Sequence, residues 1–553
     1  MNGVPRRVRR SATLATISVA VVLGLLAVGC RTADGGTGVD DAHPIAATGP
    51  RDGGSLVMAV DQETTGWQPQ LSNWANAGYW VGSAIIEPLA TFDEKGETVP
   101  WLAESITPTV AGQFDSWTIR VKPNITFHNG EKLNASVLLD NFALITNGRA
   151  LIGTLIGSRF KGFTPVDDLT VRVDLTSPWA DFPAQLAGPT GMVTAKEMLD
   201  APIAGLAHPI GTGPFVFESW TPNVSFKATK NPNYWRAGEP HLDSIEFRPV
   251  VDNKEALSAL RRGDIDMMVT TKAGDVPLAG PNMVAVTDYR TEKTFVQLMT
   301  VQNPDRAPNP LMNLHARRAL AYGTDRDAIR NQVGAGQAVG TSTQLMVSGT
   351  PWAIPDDDTG YYPYDVTKAK AEVAAYKAET GNASIEFELT TMLAPDDLDI
   401  ANSLADQWKA IGITARVHGK DTATNTADSI FGNFDAVTQR NYAYPNPDTD
   451  LFFFLSENAR GPGALSVNFA QLKDPAIDAA GADLQSTTDR ARQRDDWRTI
   501  TRHINEQAVN LWLYDTPYAV IHVPAVRGLE SLDTHAFASS TPRPWLWGDV
   551  WRT

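Results

Sequence analysis

Nine histidines, one cysteine and 63 acidic side chains are the groups that could do chemistry in this chain of 553 residues. Their spacing excludes most of it. No two histidines stand at metal-ligand spacing: His128 falls in a turn, His208 precedes Pro209, and His418 follows a predicted strand. A zinc site needs three or four ligands drawn together, which clustered Cys and His residues announce. The chain has no HExxH, no GxxxxGK and no GxSxG, so zincin, P-loop and nucleophile-elbow chemistry are not expected. Asp264 and Asp266 stand two apart on one face of a predicted strand, the pattern of solvated edge residues rather than an acid–base dyad. The expectation is a protein with no catalytic residues, no metal site, no cofactor and no enzymatic activity.

The remaining reactive group is the thiol of Cys30. Arg6, Arg7, Arg9 and Arg10 precede an apolar run from Leu14 to Val28, and Gly29 and Cys30 follow. A basic region, a short apolar stretch and a small residue at the cut make an export signal. The run is shorter than the ~20 residues a membrane span needs. Ala27-Val28-Gly29-Cys30 resembles the end of a bacterial lipoprotein signal, with Ala27 where leucine is more usual. The resemblance implies a signal peptide over residues 1–29 and acylation of Cys30, with chains of the palmitoyl kind holding the protein to the membrane surface. Residues 30–51, rich in Gly, Ala, Thr, Asp and Pro, read as a flexible tether. With no second cysteine, no disulfide is expected.

The elements behind this terminus alternate in type. Trp117, Ile119 and Val121 interleave with Thr118 and Arg120, as Leu169, Val171, Val173 and Leu175 do with Thr170, Arg172 and Asp174. Period two predicts strands with one buried face. Asp252 and Glu255 form a capping-box pattern, Ala256, Leu257 and Leu260 an apolar stripe, and Gly263 a stop. Ile400, Leu404, Trp408 and Ile411 recur at helical spacing before Gly412, with a strand predicted from Ile413 to Val417. Trp497, Ile500 and Ile504 mark a late helix. Interleaved helices and strands give an α/β or α+β class. The net charge of −16 opposes nucleic-acid binding.

One run is more specific. Gly211, Gly213 and Pro214 turn into a strand with Phe215 and Phe217; Trp220 and Pro222 close it, and Val224–Ala228 returns as its hairpin partner. Asn231-Pro232-Asn233-Tyr234-Trp235 follows as a turn carrying an aromatic plug, and then a strand with Ile245 and Phe247. This order, with its Asn-Pro-x-Tyr-Trp motif, resembles the family 5 extracellular solute-binding proteins of ABC importers. Phe127-His128-Asn129-Gly130, Arg317–Arg326 and Tyr444-Pro445-Asn446-Pro447-Asp448 resemble further segments of that family.

The resemblance implies a two-lobed periplasmic-binding-protein-like α/β fold of type II, with an extra inserted domain and a ligand cleft between lobes. Domain I would take residues 52–88, 205–295 and 505–553, domain II 89–204, and domain III 296–504. Family positions put Asn73, Trp74, Tyr79 and Trp80 on one cleft wall and Arg440, Asn441, Tyr442 and Tyr444 on the other. The implied protein is a monomeric lipoprotein on the extracytoplasmic side of the cell membrane. It captures a peptide or peptide-like solute by hinge closure and delivers it to permease and ATPase subunits. Ala443 stands where oligopeptide binders of the family often carry an aspartate for the peptide's amino terminus. A glycoconjugate, an opine-like compound, haem or a metal chelate therefore stays open as ligand, as does a regulatory lipoprotein with no transport role.

Overall fold

The computed structural model describes residues 49–553 apart from 73, 75, 147–152, 154–155, 202–204, 347, 349, 443–444, 530–531 and 533–542. Cys30 and the segment read as a signal peptide lie outside the described residues.

Strand β1 (Ser55–Val60) leads to the helix Asn76–Gly82. A short antiparallel pair follows, β2 (Ala90–Phe92) and β3 (Thr98–Pro100). The next four strands, β4 (Ala103–Val110), β5 (Gln113–Val121), β6 (Phe160–Asp167) and β7 (Thr170–Leu175), make an antiparallel sheet of their own in the order β4-β5-β7-β6. The period-two reading holds here. Trp117, Ile119 and Val121 face Val171, Val173 and the helix Ala135–Thr146 in one core. Leu169 falls just before β7, where it is partly buried against the same core.

The chain then builds β8 (Phe215–Thr221), β9 (Ser225–Lys230), β10 (Ser244–Pro249), β11 (Met267–Thr270) and the long β12 (Val284–Leu298). After it come β13 (Ile385–Met392), β14 (Ile413–Lys420), β15 (Ala436–Tyr442) and the second long strand, β16 (Asn510–His522). A small pair, β17 (Val526–Arg527) and β18 (Trp551–Arg552), ends the chain. Ten of these strands form one mixed sheet in the order β14-β13-β15-β12-β16-β11-β1-β10-β9-β8.

Alternation along β1 explains how this sheet is covered. Leu56, Met58 and Val60 pack on one side with Phe226, Phe247 and Trp547. Ala59 faces the other side, against Leu257 and Leu260 of the helix Asn253–Arg262. That helix has the predicted ends: the Asp252 carboxylate accepts from the amides of Lys254 and Glu255, and Gly263 adopts φ 79°. Gly412, at φ 90°, likewise ends the chain's turn out of the helix Pro395–Lys409 into β14, and Ile400, Leu404 and Trp408 are buried. Asp264 is exposed, as the solvated reading expects, but neither acid lies on the strand and Asp266 is buried. They precede β11, and Asp266 is 8% exposed, accepting from the Val57 amide (2.9 Å) and pairing with Arg552 (2.9 Å). It ties β1 to the chain terminus.

The Asn-Pro-x-Tyr-Trp motif acquires a physical role. Glu87 is fully buried, and four donors reach its carboxylate: Trp101 Nε1 (2.8 Å), Thr212 Oγ1 (2.7 Å), Tyr234 OH (2.8 Å) and Trp235 Nε1 (3.0 Å). Asn231 Nδ2 donates to the Gly213 carbonyl (3.0 Å) and fixes the turn. The aromatic plug therefore clamps a buried acid rather than merely filling space.

The two long strands organise the whole. The N-terminal part of β12, Val284–Asp288, pairs with Tyr518–His522 of β16; its C-terminal part, from Glu292, pairs with Asn510–Thr516. The ladder is irregular between Asp288 and Glu292. On the β16 side, β11 joins only through Ala519–His522, and on the β12 side β15 joins only from Glu292 onward. Each long strand thus belongs to one half of the sheet at one end and to the other half at the other.

Candidate ligand cleft

The polar groups gathered at this crossing come from six elements. Parallel pairing of β1 with β11 brings the end of β1, and Asp61 beyond it, to the level where β11 meets Ala519. Helix Asn76–Gly82 contributes Asn76 and Trp80, and Trp80 Nε1 donates to the Tyr518 hydroxyl (2.6 Å). Strand alternation sorts the rest. Glu292 and Thr294 share one face of β12; Thr294 stands opposite Arg440 in the β15 ladder, and its hydroxyl lies 2.7 Å from that of Thr516. Lys293 points to the other face, where its ammonium meets Asp515 at 2.5 Å, both side chains buried. Asp397, in the first turn of the helix Pro395–Lys409, completes the set.

Burial governs the electrostatics. It raises the carboxyls of Asp61 and Glu292, opposed in each by the Arg440 guanidinium, while Asp61 and Glu292 repel one another. Asp397 is raised for the same reason and eased by Arg440. Burial pushes the Tyr514 phenol up to about 12, and Tyr518 also rises, so both stay neutral hydrogen-bonding groups. Arg440 Nε stands 3.5 Å from Glu292, with 44% of its side chain exposed.

The expected wall residues divide. Trp74 is buried, donating to the Gly66 carbonyl (2.9 Å) and packing edge-on to Trp67 and Tyr79. Added Cβ atoms on Gly78 and Gly82 would strike its ring, so Trp74 and Tyr79 serve the core under the helix. Trp80 is buried too, between Trp547 and the Arg543 guanidinium, yet its nitrogen reaches Tyr518 on a crossing strand. Arg440 faces the acids; Asn441, opposite Lys293, takes the other face. Asn73 and Tyr444 lie outside the described residues, as does the side chain of Tyr442. Asp61, Asn76, Glu292, Asp397 and Tyr518 are the site residues that local spacing does not reveal as a group. Among the described residues no cluster of three metal-ligating side chains occurs.

Away from the crossing, β4–β7 and their loops touch the half built on β12–β16. Trp179 Nε1 donates to the Asp448 carboxylate, Arg159 to Gln485 (2.7 Å), and Gln493 to Asp181 (2.6 Å). Lys272 and Asp396 pair at 2.6 Å beside the crossing.

The model of "Bacterial extracellular solute-binding proteins, family 5 Middle" matches residues 97–462. The chain belongs to family 5 of the bacterial extracellular solute-binding proteins. It is similar to the glutathione-binding protein GsiB of Pectobacterium atrosepticum, at 25% identity over 79% of this chain and 84% of that protein. It is also similar to the oligopeptide-binding protein AppA of Bacillus subtilis, at 25% identity over 95% of this chain and 97% of that one. Its fold resembles that of the Helicobacter pylori periplasmic binding protein DppA in complex with the peptide STSA, with a TM-score of 0.77, 20% identity, and coverage of 91% and 98%. The two-lobed type II fold expected from the family motif is therefore the fold of this chain. Family 5 proteins are binding proteins rather than enzymes, and they hand their solutes to ABC permeases outside the cytoplasm. No helix among the described residues is long and apolar enough to cross a membrane.

Proposed function

We propose that this family 5 protein is a lipid-anchored, monomeric capture subunit that closes around a peptide or peptide-like solute and delivers it to its importer. The observation that carries the reading is the double crossing of β12 and β16, with buried polar side chains from both halves of the sheet turned toward the same place. Two strands that pass between lobes allow rotation at the 288–292 irregularity without breaking either core. Groups from both lobes bind a ligand better when they close on it together, so the ligand shifts the population toward the closed form.

In this reading residues 89–204 form the inserted domain, and the lobe limits fall at the crossings, near 288–292 and 516–518, rather than at 295/296 and 504/505. Cys30 carries the acyl anchor. A ligand that is not a peptide is the second reading, favoured by Ala443 in place of the amine-binding aspartate.

Native mass spectrometry of protein purified without denaturation tests the proposal. A retained peptide supports it; a retained sugar, opine or haem selects the second reading. A thermal-shift screen with peptides complements it, since a ligand at a hundredfold excess over Kd stabilises by about 2.7 kcal/mol. A protein that retains nothing and responds to no solute would defeat the capture reading altogether.

A further inference from the structure

Two acceptor atoms near the strand crossing lack donors, and a third group, Glu292, has only a long ion pair. Asp61 Oδ1 is sealed from solvent and receives no hydrogen bond. Asn76 is 7% exposed, and its carboxamide oxygen is equally unpartnered. Glu292 is 2% exposed; its carboxylate has Arg440 Nε at 3.5 Å and no hydrogen bond among the described residues. Native proteins pair nearly all such atoms, and each exception calls for a missing partner. Exposed acids on a surface would need none. Here one member is a neutral amide, and the atoms come from the residue after β1, the helix Asn76–Gly82 and β12, on both sides of the crossing.

Asp61 and Asn76 meet at Tyr518, and Glu292 lies within charge range of Asp61. The Tyr518 hydroxyl takes the Trp80 indole proton at 2.6 Å, the Asn76 amide lies against it, and it feels the charge of Asp61. Arg440 is the cation that eases both acids, from the β15 side, and Arg543 stacks on Trp80 behind Tyr518. With Asp397 counted, acids outnumber these two cations among the described residues. A group offering several N–H donors and a positive charge satisfies every unmet need at once; an anion or a lone acceptor satisfies none.

We infer that the hinge end of the cleft is a subsite for a cationic group of the ligand, an ammonium or guanidinium, held by Asp61, Asn76 and Glu292. The inference rests on the peptide-capture reading and names the chemistry that the captured solute carries. It also supplies acids for a cation from residues other than position 443. The cation can be the ligand's terminal amine or a basic side chain, and the probes below separate the two.

The test uses the mature protein and three tripeptide amides: Ala-Cit-Ala with a free amino terminus, acetyl-Ala-Arg-Ala, and acetyl-Ala-Cit-Ala, where Cit is citrulline, the neutral isostere of arginine. Binding is measured by calorimetry at pH 7. One of the two singly charged peptides is expected to bind at least about tenfold tighter than the uncharged one. In the Asp61→Asn/Glu292→Gln variant, checked for an unchanged folded circular-dichroism spectrum, that gap should shrink to about twofold. Asn76→Ala should reduce it by a smaller factor. Equal binding of all three peptides overturns the subsite and leaves peptide capture intact, as does a gap that survives in the double variant. Binding of none, with a neutral or anionic non-peptide found in the native mass spectrum, overturns both.

Discussion

Trp179, on the β4–β7 side, donates its indole proton to the Asp448 carboxylate on the β12–β16 side, so a neutral donor from one body satisfies a fully buried acid of the other. Gln485 adds a second hydrogen bond to Asp448 (2.6 Å). Asp181 lies beside this pair, hydrogen-bonded to Gln493 and 3.4 Å from Arg490, which also reaches Glu97 at 2.7 Å. Burial, and then repulsion by Asp448, raise Asp181 to about 6, against the opposing charge of Arg490.

Closure is therefore expected to depend on pH. Parting the lobes would return Asp181 to its ordinary range near 4. Between about pH 4 and 6 the closed form binds a proton that the open form does not, so closure is favoured as pH falls through 6. The same sign applies to unfolding: this group's penalty grows as pH rises through that window. Ligand affinity should change by up to about tenfold per pH unit there, the limit for one proton. Asp181→Asn should flatten the profile. Calorimetric Kd values between pH 4.5 and 7.5 check this, and an unchanged slope in the variant would count against it.

Glu87 offers a stability prediction. Four donors converge on it, from Trp101, Thr212, Tyr234 and Trp235. Glu87→Gln keeps the shape but presents an NH2 group to donors, leaving at least one buried N–H or O–H unmet. A loss of about 2–4 kcal/mol follows from the desolvation of orphaned groups. Thr212→Val removes one donor and should cost about 1 kcal/mol. Urea unfolding, followed by tryptophan fluorescence, should rank the two variants in that order.

Cys30 governs location if it is acylated. Cys30→Ser is expected to release the processed protein from membranes into the soluble fraction, because the tether 30–51 behind the signal segment carries no lipid-binding group besides the acylated cysteine. Cell fractionation with immunoblotting reads the outcome. Retention of the serine variant in membranes would refute the anchor.

What was legible beforehand was local. Asp252 and Gly263 are three-dimensional features written within a dozen residues, because capping and left-handed stops involve near neighbours. Trp117, Ile119 and Val121 were readable because a half-buried strand repeats every second residue. The cleft was not. Family position marked Arg440, but Asp61, Glu292 and Tyr518 come to it through ladders joining segments hundreds of positions apart, and none of those three has a diagnostic neighbour in sequence. Family position pointed to Trp74 and Tyr79 as cleft residues; two glycines one helical turn apart let the Trp74 ring sink into the core. Asp266 read as a wet edge because its partners, the Val57 amide and Arg552, are equally remote.

The same remoteness makes the crossing testable. Lys293 and Asp515 are 222 positions apart, adjacent across β12 and β16, and 1% and 8% exposed, with 2.5 Å between Nζ and Oδ1. A buried pair of this kind contributes little net stability over apolar residues of similar size, because desolvation offsets attraction. Breaking one side is another matter, since the remaining charge stays buried. Asp515→Asn is therefore expected to cost about 3–5 kcal/mol, and Lys293→Met a similar amount. The double variant Lys293→Met/Asp515→Leu should lose less than either single change. Because the pair sits within two residues of Glu292 and Thr516, the single variants should also weaken ligand binding, while the double variant recovers part of it. A double-mutant cycle on both unfolding and binding measures the coupling. Strictly additive costs would mean that the two strands are held together at the crossing by their ladder alone.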